Sequence, residues 1–266
     1  MKKELTLIKL GGSLITDKNK AFTAKKGVIQ RLAGEIKSSL SLHKTDLIVG
    51  HGSGSFGHVV ASKYKTQEGI VNKDSIKGFP LVADAARKIN TIVMEEFLKK
   101  GLKVVSFSPL SYTYAKNQKR IKSSIKPIKK ALEIGIIPVI YGDVIMDEKM
   151  GFCIYSGEKS LNVLAEELKD AYKKIKIIYC GETDGVYDEK GKTISIITSK
   201  NFKKIKKALG GSSGVDVTGG MIHKVKEALE IAKKINALTL IINATKKQAL
   251  KKALEGNQLG ATKIVY

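Results

Sequence analysis

Three glycine-rich stretches, each close to a cation, carry the residues of this chain best suited to chemistry. In KLGGSLITDK (9–18), Gly11 and Gly12 let backbone N–H groups come close to an anion, Ser13 adds a hydroxyl, and Lys9 and Lys18 place positive charge on either side. In GHGSGSFGH (50–58), Gly52, Ser53, Gly54 and Gly57 lie between His51 and His58. In GSSGVDVTGGMIHKVKEAL (211–229), Thr218, Gly219 and Gly220 precede a helix expected from Met221, whose free N–H groups and positive dipole end face the glycines, with Lys224 in its first turn. Loops of this kind suit phosphate oxygens.

The second stretch is a literal match to the dinucleotide fingerprint G-x-G-x-x-G at Gly52, Gly54 and Gly57. That fingerprint belongs after the first strand of its unit, with an acidic residue ending the next strand about 20 positions on. Here the loop follows the second strand, and Glu68 and Asp74 lie in a segment with no strand pattern. A single phosphate is the better occupant. His43, His51 and His223 read as structural histidines; His58 closes the loop, where an imidazole N–H can donate to a phosphate. With no nucleophile–base pair in view, glycine loops and lysines point to phosphoryl transfer, which depends on positioning and charge neutralisation. Neither a Walker sequence nor the protein-kinase set of motifs occurs.

The elements that must position these loops are short aliphatic strands alternating with helices. Strand candidates are 5–10, 46–50, 102–108, 136–142, 175–180, 238–244 and 261–266; helix candidates are 25–41, 79–100, 123–134, 157–170, 199–208, 221–235 and 246–254. The alternation predicts an α/β fold, a mostly parallel central sheet with helices on both faces. Segments 142–157 and 186–198 carry hairpin signals. An N-terminal lobe (1–172) and a C-terminal lobe (173–266) sharing one sheet fit the 266 residues.

Composition narrows the class. The chain has 48 lysines and arginines against 25 acids, a formal charge of +23. The lysines alternate with aliphatics at helical spacing and few aromatics accompany them, so solvated helix faces explain the charge better than nucleic-acid binding. No window approaches a membrane span and no signal peptide is evident, which predicts a cytoplasmic protein. Cys153 and Cys180 read as packed reduced thiols.

The motifs KLGGSLITDK, GSGSFGH, YGD (141–143), YSGEKS (155–160), TDGVY (183–187) and VDVTGGM (215–221) resemble, in order and over essentially the whole chain, the amino acid kinase family. The histidine ending GSGSFGH is shared by the branches acting on isopentenyl phosphate and on fosfomycin. The resemblance implies an open αβα sandwich and ATP-dependent transfer to isopentenyl phosphate, with Mg²⁺ accompanying the nucleotide and a homodimeric assembly. It further implies that Lys9, Gly11, Gly12 and Ser13 hold the transferring phosphates and that Lys18 stabilises transition-state charge. Gly52, Ser53, Gly54, Gly57 and His58 would cradle the acceptor phosphate and Gly157 would add a contact. Asp143 would orient the lysines, and Glu182, Asp184, Gly220 and Lys224 would lie on the ATP side. Three departures stand out: Ser53 replaces a glycine, YCGETDGVY (179–187) replaces a T-D-V-D-G-V-Y pattern, and Glu158 stands where aspartate is common.

The chemistry of such an acceptor agrees with the cation-rich loops. An alkyl phosphate with a second pKa near 6 is largely dianionic at neutral pH and attacks a phosphoryl group without a general base. Its tail needs an apolar wall. Phe79, Val82, Ala83 and Ala86 share one face of the helix after the second loop, although a plain core face explains the same spacing. Another small-acceptor kinase of the same fold, or a basic nucleic-acid-binding module, remains the alternative.

Overall fold

A computed structural model describes residues 2–40, 45–210, 219–257 and 260–266. Its strands are β1 (Glu4–Leu10), β2 (Thr45–His51), β3 (Val104–Phe107), β4 (Thr113–Lys116), β5 (Lys119–Ser123), β6 (Ile137–Tyr141), β7 (Asp143–Asp147), β8 (Gly151–Tyr155), β9 (Lys174–Gly181), β10 (Ile196–Ile197), β11 (Leu238–Asn243) and β12 (Thr262–Ile264). Its helices are α1 (Gly12–Ile15), α2 (Lys26–Leu40), α3 (Gly54–Lys63), α4 (Lys73–Lys99), α5 (Pro109–Tyr112), α6 (Lys126–Glu133), α7 (Gly157–Leu168), α8 (Ser199–Gly210), α9 (Gly219–Ile235) and α10 (Ala249–Leu254).

The main sheet runs β10-β12-β11-β9-β1-β2-β6-β3 and is parallel except where β11 meets β12. β1 sits between β2 and β9, in parallel register with both, because its residues from Leu5 to Leu10 are all buried and need cover on both faces. On one face α2 presents Ile29, Leu32, Ala33 and Ile36, at helical spacing, beside Ile89 and Val93 of α4. On the other, Leu161 and Leu164 of α7 and Val225 and Ala228 of α9 pack with Ile128 of α6. The result is the expected three-layer αβα sandwich. The chain passes from β1 outward through β2 and later returns to β9 on the opposite side, so order reverses at β1. Crevices at the carboxyl ends of strands beside such a reversal are where ligands bind.

A smaller sheet, β5-β4-β7-β8, stands beside α3 and α4, with Val144 of β7 against Ala61 and Val82. β7 and β8 realise the hairpin expected over 142–157. The segment 186–198 forms instead a single bridge, Tyr187 to Thr193, followed by the two-residue β10, which pairs with β12. Three further expectations are corrected. The expected helix at 79–100 begins at Lys73, where the Asn72 side chain accepts the Ser75 N–H, and it accommodates Pro80 within its length. The expected helix at 246–254 starts at Ala249. The GSGSFGH stretch opens a helix of its own, α3. Cys153 and Cys180 are buried and free, as expected.

Candidate active site

β1 and β2 are in register, Leu10 opposite His51, so their glycine stretches emerge at the same level. The Gly52 N–H donates to Leu10 O (3.1 Å) and the Gly11 N–H to Cys180 O (2.8 Å), stitching the ends of β1, β2 and β9 together. A Cβ on Gly12 would stand 2.7 Å from Gly54 N, and one on Gly52 would stand 3.8 Å from Lys9 Nζ. Gly54 holds a φ of +49° and a Cβ there would overlap Thr16 Oγ1, so no other residue fits. Thr16 fastens the two stretches: its hydroxyl donates to Gly12 O (2.8 Å) and accepts the Ser55 N–H (3.0 Å).

What the clasped glycines expose is a set of donors. Among the described residues, no acceptor meets the N–H groups of Gly12, Ser13, Ser53 and Gly54. Ser53 precedes α3 without capping it, leaving the positive end of a ten-residue helix open toward Gly12. His58 lies about one turn along α3 from Gly54 and is exposed; Gly57 is buried against the Ser53 side chain.

Cations gather around these donors. Lys9 Nζ forms a buried ion pair with Glu158 Oε1 at 2.6 Å, their side chains only 7% and 13% exposed. Lys18 and Lys25 both pair with Glu182, at 3.5 and 3.2 Å, and Lys25 Nζ also donates to Ser13 O (2.9 Å). Lys224, on α9, is held below the ordinary lysine range by burial and then by the charge of Lys9, an effect that Glu158 and Glu182 oppose. These residues therefore share one electrostatic neighbourhood, in which Lys9 and Lys224 repel each other until an anion separates them. Burial alone would raise the Glu158 carboxyl; the charge and hydrogen bond of Lys9, with Lys224, outweigh it and hold Glu158 below 4.5. Gly220 is exposed on the first turn of α9; Thr218 and His43 lie outside the described residues. Asp184 pairs with Lys246 at 2.5 Å.

Gly142 and Gly157 close the floor. The Gly142 N–H donates to His51 O (2.9 Å), and a Cβ on Gly157 would stand 2.9 Å from the same oxygen, so the start of α7 rests directly on the end of β2. Asp143, expected to orient the lysines, makes no ion pair among the described residues. Its buried carboxylate accepts the Ser108 hydroxyl (2.9 Å) and the Val144 N–H (2.8 Å), and burial raises its pKa to about 6. The carboxylate that meets Lys9 is Glu158, because the first turn of α7 faces the β1 end while β7 carries Asp143 toward β3. Sequence inspection registers Glu158 only as a departure from a pattern and passes over Thr16 and Lys25. A carboxylate two residues after the Ser156 cap of α7 is the signal that marks it.

Beside the His58 face of α3 stands an apolar wall. Phe79, Val82 and Ala83 of α4 pack with Ala61, Val144 and Ile154, and the Phe79 ring meets Phe152 at 5.0 Å. Ala86 is buried outside this cluster. The arrangement provides two anion cradles sharing one lysine, with an apolar lining next to one of them.

Residues 4–243 match the amino acid kinase family. The chain is 35% identical over 265 residues to the isopentenyl phosphate kinase of Methanocaldococcus jannaschii, spanning 96% of this chain and 97% of that protein. It is 31% identical to the isopentenyl phosphate kinase of Methanothermobacter thermautotrophicus, with 98% of each covered. Among solved structures, an isopentenyl phosphate kinase at 28% identity superposes with a TM-score of 0.76, over 98% of this chain and all of that one. In sequence and in architecture, the chain belongs to the amino acid kinase family.

Proposed function

We propose that this protein transfers the γ-phosphoryl group of ATP to isopentenyl phosphate, giving isopentenyl diphosphate and ADP. The observation that carries the proposal is the meeting of two glycine cradles over Lys9 at the ends of β1 and β2, in a chain similar along its whole length to isopentenyl phosphate kinases. The N-terminal lobe, 1–172, holds the acceptor between Gly52, Ser53, Gly54, His58 and Gly157. The C-terminal lobe, 173–266, holds the nucleotide through Lys224, with Glu182 and Asp184 beside it, and Gly11, Gly12 and Ser13 of the N-terminal lobe reach its phosphates.

In the transfer, an oxygen of the acceptor's phosphate dianion forms a bond to the γ-phosphorus. The bond from that phosphorus to the β,γ-bridging oxygen breaks, and its electron pair leaves with ADP. No proton has to be removed from the attacking group. The obstacle is repulsion between two anions, about 1 kcal/mol per charge pair at 4 Å in water and severalfold more in a drier cleft. Lys9 stands between the cradles and Lys18 and Lys224 beside them, while the free N–H groups fix both phosphates in line.

Magnesium fits as an ion carried by the nucleotide. Among the described residues no three acidic, histidine or cysteine side chains converge on a point, and Glu158 and Glu182 are engaged by lysines. Mg²⁺ prefers a few carboxylates plus phosphate oxygens, so ATP supplies most of its ligands. When bound it neutralises charge developing on the β- and γ-phosphates. No described helix is long and apolar enough to cross a membrane, which accords with a cytoplasmic enzyme. A homodimer is part of the same reading: among the described strands β3 ends the main sheet, and it carries the half-exposed Val105.

The test offers isopentenyl phosphate, fosfomycin, glutamate and UMP in parallel and measures ATP consumption. Turnover with the first alone is expected. Turnover with fosfomycin alone would transfer the assignment to a phosphonate acceptor, and none with any of the four would defeat it.

A further inference from the structure

His51 reads from sequence as an ordinary core histidine, and its ring is indeed fully buried. Its surroundings are not ordinary. Nδ1 lies 3.1 Å from Gly52 O, Nε2 lies 3.2 Å from Asn90 Oδ1, and Asn90 Nδ2 donates to Ser106 Oγ at 2.7 Å. The ring stacks on Tyr141 at 5.7 Å, which fixes its plane. The chain Ser106–Asn90–His51 thus ends on a carbonyl of the glycine stretch.

Gly52 O can only accept, so the contact requires a proton on Nδ1. In a neutral ring Nε2 is then an acceptor. Asn90 stands with Oδ1 toward the ring and Nδ2 toward Ser106; its two ends have the same shape, so a half-turn of the carboxamide exchanges them, Nδ2 then donating to Nε2 and Oδ1 accepting the Ser106 hydroxyl proton. Burial, with a smaller contribution from the charge of Lys9, outweighs the contacts with Gly52 and Asn90, which favour the charged ring, and keeps the ring below its ordinary 6.5, so the neutral form is favoured at neutral pH. The consequence lies across the next peptide bond. A trans peptide is planar, so its C=O and N–H point in opposite directions. Holding Gly52 O inward aims the Ser53 N–H outward, where no described acceptor meets it.

We propose that His51 is a positioning residue for the acceptor cradle: fixed by Asn90 and Ser106, it holds the Gly52 carbonyl and so aims the Ser53 N–H at the phosphate of the acceptor. The proposal rests on the assignment of the second glycine stretch to the acceptor. Asparagine places an amide N–H close to the position of Nδ1 and glutamine places one close to Nε2, so the two substitutions separate the two ring contacts.

The experiment pairs histidine ¹⁵N NMR of the full-length enzyme with kinetics. The His51 signal, identified by its loss in His51→Asn, is expected to show a neutral ring protonated on Nδ1; an Nε2-protonated ring or an imidazolium overturns the proposal. His51→Leu and His51→Gln are expected to raise KM for isopentenyl phosphate by about tenfold or more with KM for ATP within about twofold. His51→Asn is expected to recover most of that loss. Thermal melting of each variant identifies any loss that comes from unfolding. If His51→Leu leaves acceptor KM unchanged while Ser53→Pro, which removes the aimed N–H, raises it, the His51 proposal fails. If both leave acceptor KM unchanged, the assignment of this stretch to the acceptor fails instead, and the NMR result stands apart from it.

Discussion

Lys9 and Glu158 form a buried ion pair at 2.6 Å, linking the end of β1 to the first turn of α7 beside Gly52, in a glycine stretch where the N–H groups of Ser53 and Gly54 meet no acceptor among the described residues. A buried pair contributes little net stability, yet removing one partner strands the other. Here the stranded cation also belongs to the phosphate site, so stability and ligand binding are coupled through one carboxylate.

Glu158→Gln is therefore expected to destabilise the ligand-free protein by about 3 kcal/mol. Phosphates bound at Lys9 take over the role of the missing carboxylate, so saturating ATP should raise Tm more in the variant than in the parent. The Glu158 carboxyl is depressed in the folded state, so its contribution is present above the ordinary 4.5 and fades as pH falls through its lower folded value. The difference between parent and variant should shrink accordingly. Melting curves with and without ATP check this, and an equal ATP-induced shift in both proteins contradicts it.

Asp143 presents the opposite sign. Burial lifts its folded pKa from 3.8 to about 6, so between those values the folded protein holds a proton that the unfolded chain has lost. Stability falls as pH rises through that window. Asp143→Asn removes the buried charge; its Oδ1 accepts the Val144 N–H and its Nδ2 donates to the Ser108 oxygen, whose hydroxyl is free to turn. It should stabilise the protein by about 3 kcal/mol at pH 7 and leave it nearly unchanged at pH 4. A variant less stable than the parent at pH 7 would show that the charge is compensated by a partner.

Lys224 should make nucleotide binding pH-dependent on the alkaline side. Its ammonium is held below the ordinary range by burial and by Lys9, whereas a bound polyphosphate favours the charged form. Binding then takes up a proton, and KM for ATP rises as pH climbs through the lowered lysine value. Lys224→Arg keeps its charge throughout and should flatten the profile, even where its own affinity is lower. Parallel profiles for the two enzymes would remove Lys224 from the phosphate site.

His58→Ala tests the division of labour between the cradles. His58 is exposed on α3 near Gly54 and has no described protein partner to strand. Its loss should cost little stability and lower kcat/KM for isopentenyl phosphate by about 100-fold, with ATP affinity retained. Equal losses for both substrates would place the residue between the cradles instead of within one.

The parts of this fold that are legible in the sequence are those whose signal is local. β1, β2 and β9 announce themselves as aliphatic runs because both faces are buried. The glycines announce themselves because loops that touch back to back admit no Cβ. α3 is hidden: GSFGHVVASK holds two glycines and adjacent valines, weak helix formers, and it becomes helical because Ser55 and Phe56 are buried against the clasped loops. The β4–β5 turn is hidden for a different reason. Asn117 and Gln118 both take left-handed φ, 51° and 62°, without glycine, because Asp147 accepts both of their N–H groups at 3.0 and 2.7 Å. The Lys9 partner is only half legible: a carboxylate just after the Ser156 cap marks Glu158 as a helix-start residue, but the sequence around it does not say that α7 brings it to β1.

The apolar wall sets the last prediction. Phe79 and Ala83 lie about one turn apart on α4 and share a cluster with Val144 and Ile154, beside the face of α3 that carries His58. If this wall receives the acceptor's tail, adding bulk and removing it should act in opposite directions on tail length. Ala83→Phe fills the space and should raise KM for isopentenyl phosphate by about tenfold or more, leaving KM for ATP within about twofold. Phe79→Ala removes the ring that meets Phe152 and opens room for about one more prenyl unit. It should raise the ratio of kcat/KM for the longer acceptor over isopentenyl phosphate, at a stability cost of about 3 kcal/mol that a melting curve will register. The ratio is the informative quantity, because a general loss of folded enzyme lowers both terms equally. A ratio unchanged in both variants would place the tail elsewhere and leave the wall as plain core.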